Sequence, residues 1–175
     1  MLKKENGIKK ILIDENTVKQ KVKELAQKIN NDYKDKTPCL IGLLKGSFVF
    51  IADLAREIDT NIEVDFMIVS SYGNENIGSE IKILKDVDIP LTGKDVIIVE
   101  DIIDTGYTLE KICEILQTRN VASLKICTLL NKPSRRKVDI KIDYNGFDIE
   151  DEFVVGYGID YAQKYRNLPY IGVVE

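Results

Sequence analysis

Three carboxylates and three residues that are glycine or carry a small hydroxyl stand within nine positions of this chain, in the run Glu100-Asp101-Ile102-Ile103-Asp104-Thr105-Gly106-Tyr107-Thr108. Ionised carboxylates only accept hydrogen bonds, and a sugar diol offers two donors. A turn of Thr and Gly that opens a helix presents free N–H groups and the positive end of a dipole, which favour a phosphate. Gly106 permits a positive φ or a close approach of backbone to ligand. An acidic pair alone after a core strand would ordinarily be a solvated turn. Here the pair, the third acid, the Thr-Gly turn and the start of a helix occur together. Their combination suits a site that holds a sugar by its hydroxyls and a phosphate by its oxygens.

The elements around the run must bring these groups to one point. Val96 to Val99 is a continuous apolar stretch, which suits a strand covered on both faces and hence a parallel sheet. Ligands of such sheets bind beyond the carboxyl ends of the strands. Adjacent residues of a straight strand point to opposite faces, so for Glu100 and Asp101 to share a ligand the chain must already be leaving the strand there. Leu109 to Thr118 then reads as a helix. Upstream, Ile8 to Ile13 reads as a short strand, and Asp14 to Thr17 offers capping residues for a helix with Val22, Leu25, Ala26 and Ile29 on one face. Leu40 to Leu44 is a buried strand, Phe48 to Ile58 a helix, and Ile62 to Ser70 a strand. Ser71 to Ser79, rich in Gly, Asn and Ser, reads as a mobile loop, with Ile81 to Val87 returning from it. Leu124 to Leu130, Phe153 to Val155 and Tyr170 to Val174 complete the strands. The alternation predicts an α/β fold with a central parallel sheet flanked by helices. The N-terminal strand and the tail after about Val138 are expected to form a small hood over its carboxyl edge.

The chain has 175 residues, which suits one domain spanning 1–175 with a sizeable core. With 44% hydrophobic and 31% charged residues it has the composition of an ordinary soluble protein. A net charge of −4 gives no support to nucleic-acid or membrane partners, and the basic stretch Lys132-Pro133-Ser134-Arg135-Arg136-Lys137 is too short to reverse that. No run is long enough to span a bilayer and the N-terminus lacks a signal-peptide core, so a cytoplasmic protein is expected. Cys39, Cys113 and Cys127 fit no metal spacing and read as reduced, mostly buried thiols. The chain contains no histidine, which removes Ser-His and Cys-His mechanisms and makes zinc an unsuitable metal. A required metal would be a hard cation on oxygen ligands, such as Mg²⁺.

The run Val99 to Leu109 resembles the phosphoribosyl-diphosphate signature of the purine phosphoribosyltransferases, and other segments extend the resemblance from about Ile8 to the C-terminus. The resemblance is to the hypoxanthine (hypoxanthine-guanine) phosphoribosyltransferase family. It implies a type I phosphoribosyltransferase-like fold and transfer of the 5-phosphoribosyl group to N9 of a 6-oxopurine, with Mg²⁺ as cofactor. On this resemblance Glu100 and Asp101 orient the ribose, and the loop Asp104, Thr105, Gly106, Tyr107 and Thr108 cradles the 5-phosphate. Asp104 also lies beside the base as its general base.

The remaining segments acquire roles only through the same resemblance. Leu44-Lys45-Gly46-Ser47 is not a Walker loop and could be a plain strand–helix turn. In the family the matching tetrapeptide binds pyrophosphate through Lys45 and Gly46, with a cis bond between Leu44 and Lys45 expected. Ser70, Ser71, Tyr72 and Gly73 begin a lid that excludes water from the electron-poor sugar carbon. Lys132, which a lone lysine's habits would leave solvated, donates to the 6-oxo group and so disfavours adenine. Phe153 would be core on composition alone; the family places its ring on the purine face, with backbone groups of Val154 reading the base edge. Asp160 matches a metal-binding aspartate beside the base, joining Glu100 and Asp101 as metal ligands, and Arg166 an arginine near the pyrophosphate. Homodimers or homotetramers are usual for the family. Two other readings stay open at this level: a regulator that senses phosphoribosyl diphosphate on the same fold, and a transferase for another base.

Overall fold

The apolar run at 96–99 is the middle of a sheet with both faces covered. In the computed structural model, which describes residues 7–72 and 80–174, the chain forms β1 (Ile8–Ile13), α1 (Glu15–Asp32), β2 (Cys39–Leu44), α2 (Phe48–Glu57), β3 (Glu63–Tyr72), β4 (Glu80–Lys85), β5 (Asp95–Ile103), α3 (Tyr107–Gln117), β6 (Ser123–Asn131), β7 (Tyr144–Asp148), β8 (Val154–Val155) and β9 (Ile171–Val174). The large sheet has the order β4-β3-β2-β5-β6-β7, with β4 antiparallel at one edge and its other neighbours parallel.

Alternate residues of the central strands divide between two cores. Leu40, Ile97, Val99, Cys127 and Leu129 pack with Val18, Val22 and Leu25 of α1 and Phe50 and Leu54 of α2. Their neighbours Cys39, Ile41, Val96, Ile98 and Ile126 pack with Leu109, Ile112 and Leu116 of α3. Both phases of the period-2 pattern are buried, which is why the strands read as unbroken apolar runs.

The register of β5 creates the site. Its pairing with β2 covers only Val96 to Val99, while pairing with β6 continues to Ile103. From β2 the chain proceeds through α2 to β3 on one side, and from β5 through α3 to β6 on the other. Two neighbouring strands whose continuations leave in opposite directions form a topological switch point, where the sheet opens a crevice. Lys45 to Ser47 and Glu100 to Asp104 lie at the two lips of that crevice.

Three expectations need correction. The strand does not end at Val99: Glu100, Ile102 and Ile103 are still paired with β6, Asp101 lies between them within β5, and only the β2 side is open. Segment 144–148, which lacks a β-branched run and contains Asn145 and Gly146, adds β7 to the large sheet. The tail after Val138 therefore first extends the large sheet and only then enters the hood, which is the three-stranded sheet β1-β9-β8. Cys39 and Cys127 are buried and Cys113 half-buried, all three free. Burial pushes the Cys113 thiol up to about 11.

Because both faces are covered, Ile97→Ala and Ile98→Ala are each expected to destabilise the fold by about 2–5 kcal/mol, as deletions of fully buried aliphatics do. Denaturant titrations of the two variants check this; a loss below about 1 kcal/mol for either one would mean that its face is not a packed core.

Candidate active site

The β5–α3 turn is built to leave donors free. Gly106 precedes α3 at φ +88, in the left-handed region, and α3 has no side-chain N-cap. A Cβ there would also stand 2.9 Å from Val138 Cγ2 and 3.2 Å from Arg136 Cδ. The first-turn N–H groups thus have no helical acceptor. They border a cavity of about 240 Å³ lined by Glu100, Ile103, Asp104, Thr105, Gly106 and Thr108, among others. The helix start and the acidic strand end therefore share one concavity.

Glu100 and Asp101 lie beside each other at the crevice. The Asp101 N–H donates to Glu100 Oε1 at 3.2 Å. Burial pushes the Glu100 carboxyl well above the usual glutamate range; a hydrogen bond to the Asp101 carboxyl and its like charge push the same way. Asp101 in turn lies directly against Gly46, so close that any Cβ at Gly46 would collide with its carboxylate. A Cβ at Gly158 would collide likewise with the Gly46 carbonyl. The Asp101 carboxylate thus packs on the Gly46 backbone, and the Gly46 carbonyl on the Gly158 backbone, with no room for a side chain at either glycine. The Leu44–Lys45 peptide is cis. Ser47, buried, donates its hydroxyl to Leu43 O at 2.7 Å and closes this turn. Lys45 itself is exposed.

Lys132 is not solvated. It is only 7% exposed, and its Nζ stands 3.4 Å from Asp104 Oδ1 and 3.5 Å from Asp151 Oδ1. That Asp104 oxygen is buried and makes no hydrogen bond of good geometry, while the side chain as a whole keeps 46% of its surface open. Phe153, by contrast, is not core: it is 56% exposed and meets Tyr161 edge-on, with ring centroids 5.3 Å apart. Beside it Val154 sits in β8, buried and paired with Val173. Asp160 Oδ1 pairs with Arg166 Nη2 at 2.7 Å, and its Oδ2 accepts the Gln163 N–H. Arg166 Nη1 donates to Gly158 O at 2.7 Å. Arg166 therefore fastens the tail that carries Asp160 to the residue stacked on Gly46.

The predicted residues do not all gather into one group. Among the described residues no three carboxylate or thiol side chains converge enough to hold a metal by themselves, so Asp160 does not join Glu100 and Asp101 in a closed cage. Neither Glu100 nor Asp101 has an ion-pair partner among the described residues. An all-oxygen donor pair of this kind fits a hard dication that takes its other ligands from a substrate. Of the lid residues, Ser70 lies in β3 opposite Lys82, its hydroxyl buried without a hydrogen-bond partner. Ser71 and Tyr72 continue β3, and Gly73 lies outside the described residues. Sequence reasoning gave no role to Asp151, Tyr161 or Gly158. The acid two positions before Phe153 was the available signal for Asp151; nothing local marks the other two.

The family model described as "Phosphoribosyl transferase domain" matches residues 10–162. The chain is 53% identical over 171 residues to a hypoxanthine-guanine phosphoribosyltransferase of Bacillus subtilis (strain 168), spanning 97% of this chain and 95% of that one. It is 56% identical over 167 residues to a hypoxanthine phosphoribosyltransferase of Escherichia coli K12, spanning 94% of each. A solved hypoxanthine phosphoribosyltransferase from Staphylococcus aureus superposes with a TM-score of 0.94 at 49% identity, covering 97% of this chain and 93% of the other.

The raised Glu100 carboxyl has a stability consequence. The folded chain keeps a proton that the unfolded chain releases, so stability falls as pH rises from the ordinary glutamate range through the raised folded value. Above that value the cost is fully present. Glu100→Gln removes it, and in metal-free buffer the variant is expected to melt higher than the wild type at neutral and alkaline pH. The advantage vanishes below about pH 4, where Glu100 is protonated in both states. Melting curves from pH 3 to pH 9 measure this; a variant that melts lower at pH 8 contradicts it.

Proposed function

The chain belongs to the phosphoribosyl transferase domain family and, within it, to the hypoxanthine and hypoxanthine-guanine phosphoribosyltransferases, and on that premise we propose how its residues divide the work of purine salvage. The enzyme transfers the 5-phosphoribosyl group of phosphoribosyl diphosphate to N9 of hypoxanthine or guanine, giving the nucleoside monophosphate and pyrophosphate. The observation that carries the assignment of roles is the meeting of the Glu100–Thr108 run, the Lys45-Gly46 turn and buried Lys132 at one crevice of the sheet.

In this reading the N–H groups at the start of α3, with the Thr105 and Thr108 hydroxyls, hold the 5-phosphate. Glu100 and Asp101 accept from the ribose hydroxyls and stabilise positive charge that develops on C1 of the sugar. The exposed Lys45 and the Gly46 backbone take the pyrophosphate, with Arg166 near them. Glu100 and Asp101, with Asp160 as a separate carboxylate, would hold Mg²⁺, which would supply neutralisation of the leaving group's charge. As N9 forms its bond to C1, the bond from C1 to the pyrophosphate oxygen breaks, and Asp104 accepts the proton from N7. Lys132 donates to the 6-oxo group. It is tethered between Asp104 and Asp151, which fixes where that donor points. The open ring of Phe153 stacks on the base, and Val154 backbone groups read its edge. Residues 70–73 belong to a lid that keeps water from the sugar carbon. A cytoplasmic homodimer or homotetramer is the location and assembly this reading implies; among the described residues no helix is long and apolar enough to cross a membrane.

Two measurements test the assignments. Product formation from phosphoribosyl diphosphate and Mg²⁺ is expected with hypoxanthine and guanine and not with adenine, and Lys132→Gln is expected to narrow that margin by about 10- to 200-fold. An unchanged margin would remove Lys132 from base selection. Asp104→Asn is expected to lower kcat by about 10²- to 10⁴-fold with little change in phosphoribosyl-diphosphate affinity; equal turnover in the variant would overturn the general-base role.

A further inference from the structure

The basic stretch at 132–137 contributes more than Lys132. Three consecutive carbonyls at the end of β5 turn onto it. Ile103 O accepts the Lys132 N–H at 3.0 Å and lies 3.5 Å from Arg136 Nη2. Asp104 O accepts from Arg136 Nε at 3.1 Å, and Thr105 O accepts the Lys137 N–H at 3.0 Å. In a trans peptide, the carbonyl and the following N–H point in opposite directions. Tying these carbonyls down on one side therefore aims the following N–H groups to the other side. Thr105 and Gly106 line the cavity, and among the described residues no acceptor takes their N–H groups.

Arg136 is itself held. Its Nη2 donates to Asn131 Oδ1, Asn131 Nδ2 donates to Asp148 Oδ1 at 2.7 Å, and Asn145 Nδ2 donates to the same oxygen at 2.7 Å. The latch thus runs from β7 through the end of β6 to the underside of the turn. Burial draws the guanidinium below its ordinary value, against the pull of Asp104 and Asp148, and leaves it charged at neutral pH.

We infer that Arg136 is a positioning residue for recognition of the phosphate monoester: its planar fork locks the Ile103 and Asp104 carbonyls, so that the N–H groups of the turn converge on the 5-phosphate from the opposite side. Arg136 does not touch the substrate. A lysine keeps the charge but cannot span two carbonyls and Asn131 with one ammonium. The inference rests on the reading that the Asp104–Thr108 turn holds the 5-phosphate.

The test compares calorimetric affinities of inosine 5-monophosphate and inosine for the wild type, Arg136→Lys, Arg136→Met and Asn131→Ala. The ratio of the two affinities isolates the phosphate. Arg136→Lys and Arg136→Met are expected to lose about 10- to 100-fold of that ratio while inosine binding holds, and Asn131→Ala a smaller part. If Arg136→Lys keeps the wild-type ratio, charge alone suffices and the inference falls. If inosine binding weakens as much as nucleotide binding, Arg136 is only a structural support and the inference falls. Should Arg136→Met not fold, Arg136→Lys and Asn131→Ala carry the test. A wild type that does not prefer the monophosphate would instead overturn the assignment of the turn itself, and the inference with it.

Discussion

The site depends on one constraint: no side chain can stand at Gly46 or Gly158, because the Asp101 carboxylate lies against the first and the Gly46 carbonyl against the second. Asp101 on β5, Gly46 after β2 and Gly158 in the tail stack directly. This stack is possible only because β5 parts from β2 after Val99 and the crevice opens there. Once the stack is in place, the positions of the other groups follow. Lys45 projects from the middle layer. Arg166 secures the outer layer through Gly158 and Asp160. The acidic pair occupies the inner one, its charge uncompensated by any cation among the described residues. A site with this geometry is a poor place for a carboxylate in the absence of ligand, and that is the usual trade between stability and function.

The sequence made the central features readable for physical reasons. The run at 96–99 is apolar at every position because both faces of β5 are buried, and the acids, glycine and hydroxyls that follow are types with few purely structural uses in that order. The end of β5 was not readable. Side-chain periodicity reports which faces are buried, and it carries no information on which neighbouring strand has departed. β7 escaped because Tyr144 to Asp148 contains Asn and Gly and is held by its position beside β6 more than by propensity. Phe153 and Lys132 exchanged their expected environments, the aromatic exposed and the cation buried. Hydrophobicity assigns each to the opposite place, and such reversals are characteristic of groups kept for a ligand.

Contacts across the chain were the least legible. No local pattern could show that Arg136 meets the carbonyls of Ile103 and Asp104, or that Lys132 lies between Asp104 and Asp151. The stretch from Lys132 to Lys137 has the composition of a solvated turn. It becomes two different devices, a buried cation between Asp104 and Asp151 and a carbonyl latch, only because β6 delivers it beside the end of β5. Short basic segments thus cannot be dismissed on length when a parallel neighbour ends in exposed carbonyls.

The hood joins distant parts of the chain. Ile8 pairs with Val174, and Ile13 with Ile171, so β1 and β9 close a loop that contains the whole of the large sheet. Closing so long a loop is entropically costly, and its reward comes only after the enclosed chain is already compact. The order of assembly that follows is sheet first, hood last. In the native state the hood is tied in on one face: Ile13, Val154, Ile171 and Val173 belong to the larger core, while Val155, Leu168, Tyr170 and Val174 form a small core of their own. Local opening of this corner must therefore break one face of the larger core as well, and amide exchange in β1, β8 and β9 reports what that opening costs.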